Sequence, residues 1–138
     1  MATPRPLIGA TGRPYWNALD ENRIVHQRCG DCARWIFYPR VVCPGCGGGN
    51  LAWHEVSGAA TLYTFTVAEL AVSPDFTDEV PQLLAIAELD IGIRVPTTLV
   101  DIDPDDIRIG MALTPVFDHE TFGDVTLLRF RPATSGPE

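Results

Sequence analysis

Two stretches, Cys29-Gly30-Asp31-Cys32 and Cys43-Pro44-Gly45-Cys46, stand ten residues apart and hold all four cysteines of this 138-residue chain. Each C-x-x-C turn brings two sulfurs together. A pair of such turns at this separation offers four thiolates to one tetrahedral ion, expected to be structural Zn2+ bound by Cys29, Cys32, Cys43 and Cys46. A site closed by four sulfurs leaves no coordination position for water or substrate. The ion is therefore expected to hold the fold, and the function to lie elsewhere.

Three other readings of the cysteines compete with zinc. Iron in a tetrahedral thiolate site is the main one, because Cys-Pro-x-Cys knuckles serve both metals. Disulfides fit less well, since Met1 to Gly12 contains no apolar signal core and cytosolic thiols stay reduced. A thioredoxin-type redox pair would use a single C-x-x-C at a helix start.

Outward from the knuckles, the pattern is mostly that of strands. Arg23-Ile24-Val25-His26-Gln27-Arg28 reads as a strand entering the first knuckle, and Arg34-Trp35-Ile36-Phe37-Tyr38 as one leaving it. Gly47-Gly48-Gly49-Asn50 is a turn, and residues 53–56 form the strand that closes the ribbon. A module this small depends on its metal for stability. Upstream, residues 14–21 suit a short helix with proline in its first turn, preceded by an extended arm. Beyond Ser57-Gly58, five strand-like segments follow, at residues 60–67, 82–89, 94–100, 112–117 and 125–130. A long loop, residues 68–80, separates the first two, and residues 101–106 form an acidic turn. Five strands with no long helix between them point to a small antiparallel barrel of the OB-fold type. The expected chain is mainly β. It comprises an arm and helix (residues 1–22), a zinc ribbon (23–57), an OB-fold barrel (58–132) and a flexible tail (133–138).

Composition removes several kinds of chemistry. All ten basic residues are arginine, so neither a Schiff-base lysine nor a P-loop lysine exists on this chain. No G-x-S-x-G, H-E-x-x-H or glycine-rich phosphate loop is present. Residues 1–57 carry six arginines against four acids, and residues 58–138 carry four arginines against fourteen. An acidic barrel repels phosphate backbones and argues against nucleic-acid binding. No run approaches the ~18–20 apolar residues of a membrane span, so a cytoplasmic location is expected. His26 and His54 fall on ribbon strands and are read as structural. His119 is read as solvated in a hairpin turn, and the acids of residues 101–106 as a solvated turn.

The order of motifs is informative as a set. Tyr15-Trp16 precedes Val25-His26-Gln27-Arg28-Cys29, then Phe37-Tyr38-Pro39-Arg40, Cys43-Pro44-Gly45-Cys46 and Ser57-Gly58. Farther on come Glu88-Leu89-Asp90-x-Gly92, Ile109-Gly110-Met111 and Phe130-Arg131-Pro132. Over residues 14–132 this resembles the acyl-CoA-associated family with a rubredoxin-like zinc ribbon and an OB-fold, domain of unknown function 35. The chain departs from the family pattern at Ala33 and Ala60, where glycine is usual, and at Tyr38, where proline is usual. The resemblance implies a non-catalytic accessory subunit that binds a thiolase-superfamily enzyme in a hetero-oligomer. That enzyme would act on acyl-CoA thioesters by aldolase- or thiolase-type carbon–carbon bond cleavage, as in steroid side-chain breakdown. A CoA thioester would then be shared with the partner. Trp16, Trp35, Phe37, Tyr38 and Arg40 become candidates for partner or CoA contact, since aromatics and arginine are favoured interface anchors. The alternatives are an independent acyl-CoA-binding module, a single-stranded nucleic-acid-binding OB-fold protein and a rubredoxin-like electron carrier.

Overall fold

The computed structural model describes residues 6–70 and 81–133. The start of the expected arm, most of the expected loop at 68–80 and nearly all of the expected tail lie outside the described residues.

Helix α1 (Arg13–Asp20) opens with Pro14 in its first turn, where a missing N–H costs nothing. It ends at Asn22 in the left-handed region, φ 61°, with the Asn22 and Arg23 N–H groups donating to the Leu19 and Ala18 carbonyls at 2.9 Å. Tyr15, Ala18 and Leu19 share its buried face. Strand β1 (Ile24–Cys29) follows directly and sits between β2 (Trp35–Ile36) and β3 (Leu51–Val56) in an antiparallel sheet. The strand expected over residues 34–38 is thus much shorter. It pairs only at Trp35 and Ile36, because the chain turns there to pack Phe37 against the barrel core.

The second sheet contains β4 (Ala60–Ala68), β5 (Gln82–Leu89), β6 (Arg94–Thr98), β7 (Ala112–Phe122) and β8 (Val125–Pro132), in the order β6-β5-β4-β7-β8. Its end strands meet. Leu99 and Phe130 form a parallel bridge, and the Val100 N–H donates to the Phe130 carbonyl at 2.9 Å. The Thr97 hydroxyl donates to the Leu128 carbonyl at 3.0 Å. Closure removes most of the unpaired edge that an open sheet would expose and encloses Leu62, Ala87, Leu89, Val95, Leu113 and Phe130. β7 continues five residues beyond the expected strand, through a register shift between Asp118 and Phe122. The acidic turn holds a single 3-10 turn, Pro104–Asp106, capped by the Asp103 carboxylate.

The ribbon and the barrel meet at Gly58. It has φ +81°, and an added Cβ would lie 2.6 Å from Ile24 Cδ1 and 3.0 Å from Pro115 Cγ. Only glycine accommodates both the conformation and the close approach. Helix α1 spans the same junction, with Tyr15 and Leu19 packing on Ile24, Phe117 and Leu128. Among the described residues no helix is long and apolar enough to cross a membrane.

Candidate metal centre and aromatic groove

The two knuckles are built alike. In the first, the Ala33 N–H donates to the Cys29 carbonyl at 2.9 Å, and the Asp31 N–H points at Cys29 Sγ at 3.4 Å. In the second, the Gly47 N–H donates to the Cys43 carbonyl at 2.8 Å, and the Gly45 N–H points at Cys43 Sγ at 3.3 Å. Both turns close with a positive φ, 77° at Gly47 and 65° at Ala33. The second is unusual for a residue with a Cβ and costs about 1–2 kcal/mol. A glycine at this position would avoid that cost.

The four Sγ atoms lie within 4.8 Å of one another, with Cys29 and Cys43 buried and Cys32 and Cys46 exposed. Across the knuckles, Cys29 approaches Cys46 and Cys32 approaches Cys43, each at 3.6 Å. Sulfurs about 2.3 Å from a central Zn2+ would be spaced in this way. The backbone N–H groups of Cys46 and Gly45 draw the Cys43 thiol down against the opposing effect of burial, whereas backbone N–H groups at Cys32 and Cys46 are outweighed by bonds from neighbouring sulfurs and by burial, which push those thiols up. The donor set fits Zn2+, which would fix the two turns to each other and supply no open coordination position.

Loop residues 38–42 lead from β2 into the second knuckle. They are held by Gln27, a residue only 5% exposed. Its amide oxygen accepts from the Arg40 N–H at 2.7 Å, and its amide nitrogen donates to the Arg40 carbonyl at 2.8 Å. The side chain thereby replaces a strand neighbour for one peptide unit, and Cys43 anchors the far end. The loop nevertheless exposes Tyr38, Val41 (74%) and Val42. Sequence reading identified Tyr38 and Arg40 but missed Val41, Val42 and Gln27. A glutamine within a strand carries no signal of what it will bond.

Between α1, this loop and the barrel lies a groove of about 470 Å³. Tyr15, Trp16 and Leu19 supply the helix side, Phe37, Tyr38 and Pro39 the loop side, and strands β6 and β8 the floor. Three of the sequence candidates, Trp16, Phe37 and Tyr38, therefore come together here, with the Phe37 and Tyr38 ring centroids 4.2 Å apart. Arg40 is exposed on the loop nearby. Trp35 does not line the groove. It packs edge-on to His54 at 5.9 Å, with the Arg28 guanidinium 4.9 Å from its ring.

At one end of the groove Arg129 donates to Asp118 Oδ2 at 2.7 Å and to Thr98 Oγ1 at 2.6 Å. Burial raises the Asp118 pKa, but hydrogen bonds from the Thr121 and Arg129 side chains, with backbone N–H groups, outweigh it and hold the carboxyl well below the usual carboxylate range. His119 lies in β7 rather than in a turn. Its ring nitrogens bond Asn22 Oδ1 at 2.6 Å and Thr126 Oγ1 at 2.9 Å, and Thr126 donates to Asp20 at 2.7 Å. The residue expected to be merely solvated joins the end of α1 to the β7–β8 hairpin.

His26 sits behind the groove, 1% exposed, between Tyr15 and Phe37. Its Nε2 is buried without a hydrogen-bond partner among the described residues. Burial lowers its pKa from 6.5 to about 4. The folded state thus holds it neutral while the unfolded chain protonates. This contribution to stability is present in full above pH 6.5 and is lost as pH falls towards 4. Between pH 7 and pH 5 the zinc-saturated wild type is expected to lose about 2 kcal/mol more than His26→Phe. Urea titrations at both pH values would show this, and equal losses would contradict it.

Comparison with known proteins finds the same order of ribbon and barrel. Residues 16–52 match the family model described as the ChsH2 rubredoxin-like zinc ribbon domain, and residues 53–118 the ChsH2 C-terminal OB-fold domain. A DUF35 domain-containing scaffold protein of Methanothermobacter thermautotrophicus is 35% identical over 80% of this chain and 84% of that protein. The chain belongs to the DUF35 family of the ChsH2 type. A probable enoyl-CoA hydratase alpha subunit of Thermomonospora curvata is 37% identical over 98% of this chain, which spans 41% of that relative's length. Among solved structures, a chain of the Ltp2-ChsH2(DUF35) aldolase superposes with a TM-score of 0.83 at 36% identity, covering 94% of this chain and 99% of that one. The family assignment agrees with the metal-binding ribbon and with the barrel order found here.

Proposed function

We propose that this chain is a non-catalytic accessory subunit that docks on an enzyme acting on acyl-CoA thioesters, of the thiolase superfamily and of aldolase or thiolase type. The observation that carries this reading is the loop at residues 38–42. An apolar pair, Val41 and Val42, stands exposed beside Tyr38 and Arg40, yet the backbone beneath is fixed by Gln27 and Cys43. A rigid, exposed apolar loop binds with little ordering cost, and its aromatic and arginine neighbours are typical anchors. Similarity to the scaffold proteins and to the Ltp2-ChsH2(DUF35) aldolase chain supports the same role. The metal centre supports it indirectly, by holding one end of the loop. Arg40 would meet an acidic group of the partner, or a phosphate of a CoA shared at the interface.

Affinity capture from native cell extract tests the reading. Zinc-loaded wild type is expected to retain a thiolase-superfamily protein in near-equal amount. Val41→Asp, which places a charge in the contact without touching the metal, is expected to reduce that retention at least about tenfold. Gln27→Leu should weaken retention less, by releasing the loop rather than altering its surface. A folded, zinc-loaded wild-type bait that captures no such protein would overturn the proposal.

A further inference from the structure

We infer that the groove between α1 and the barrel is a binding site for a small neutral molecule with an apolar aromatic or alicyclic body and a single ketone or hydroxyl oxygen. Three observations converge on this occupant. The first is shape and lining. About 470 Å³ walled by Tyr15, Trp16, Phe37 and Tyr38 is within the range of small-molecule sites, which are mostly apolar with a few placed polar groups. Flat aromatic walls favour a flat or ring-shaped body.

The second is an unused polar group. Tyr15 is only 8% exposed and lines the groove, yet its hydroxyl has no hydrogen-bond partner among the described residues. Burial without a hydrogen bond also raises its pKa to about 12, so it stays a neutral donor. The hydroxyl is not among the polar atoms sealed from solvent, so it opens to the groove, where a ligand oxygen would accept from it in place of water. The third is charge. Arg129 is the one charged residue among those lining the groove, and its guanidinium is taken up by Asp118 and Thr98. An anionic ligand would find no free cation here, whereas a neutral one leaves the Arg129–Asp118 pair intact.

This inference does not depend on the accessory-subunit reading, and its test needs no partner. The full chain, zinc-loaded, is titrated with the neutral aryl ketone 6-propionyl-2-(dimethylamino)naphthalene, whose emission shifts to the blue on leaving water. Binding with a Kd of roughly 10–100 µM is expected for a ligand of this size. Tyr15→Phe keeps the ring and loses the donor, and is expected to weaken binding about fivefold. Trp16→Ala removes a wall at a half-exposed position and should weaken it about tenfold. Zinc content and circular dichroism confirm that both variants remain folded. Free CoA, which is anionic, is not expected to compete. Failure of the ketone to bind below about 100 µM, equal binding by both variants, or displacement by equimolar CoA would each overturn the inference.

Discussion

Replacement of Cys29 or Cys43 by serine is expected to abolish metal binding and unfold residues 24–56. Both sulfurs are 1% exposed and form the inner half of the cluster, with Ile36 and Leu51 packed around them. That apolar cluster is small. The three ribbon strands include one of only two residues, so burial alone cannot offset the conformational entropy of ordering the module. In zinc-finger peptides the metal contributes about 10–16 kcal/mol of apparent binding free energy, and this becomes folding free energy. Serine supplies a much poorer ligand and leaves the ion only three sulfurs. Zinc analysis of the purified variant should show well under one equivalent. Loop 38–42 should lose its fixed shape as well, because its far end leads into Cys43. A strong chelator should do the same to the wild type. A serine variant that kept one equivalent of zinc and full ribbon structure would refute the account. Strong visible absorbance of the wild type would show iron in place of zinc.

Phe130→Ala is expected to destabilise the barrel by about 3–5 kcal/mol. Phe130 is 0% exposed and belongs to the barrel core. Its backbone is also where the sheet closes, through the bridge to Leu99 and the hydrogen bond from Val100. Removal of the ring leaves a cavity that a closed barrel cannot readily collapse, since its strands are tied on both sides. A loss of this size is a large part of the ~5–15 kcal/mol that holds a typical domain together. The control is Ile109→Ala, on a residue 61% exposed, which should change stability by no more than about 0.5 kcal/mol. Urea denaturation of both variants would measure the difference. A loss below about 1 kcal/mol for Phe130→Ala would mean that the barrel is not held by a single closed core.

The strands were legible where their pattern answers to local chemistry. Gln82–Leu89 was read to the residue, because an apolar run bounded by turns has few other conformations. β2 was overread. Trp-Ile-Phe-Tyr has strong strand character, but the chain leaves the sheet after Ile36 to bury Phe37 against the barrel. His119 differs from its expected turn for the same kind of reason, since its partner Asn22 lies 97 residues away at the end of α1, while Thr126 is on the next strand, β8. The candidate aromatics were found by residue type alone, and type does not tell a wall of the groove from a partner of Arg28. Hence Trp16, Phe37 and Tyr38 came together while Trp35 did not.

The metal centre, the mainly β character and the two-part order of ribbon and barrel can all be read from the residues in order. Those follow from spacing and periodicity, which act over a few residues. It took the packed fold to show that Gln27 holds loop 38–42, that the Tyr15 hydroxyl bonds no other described residue, and that Arg129 is spent on Asp118. Each of these depends on groups brought together from separate stretches of the chain. Contacts of that kind are set by how whole faces pack, and no short stretch of sequence encodes them.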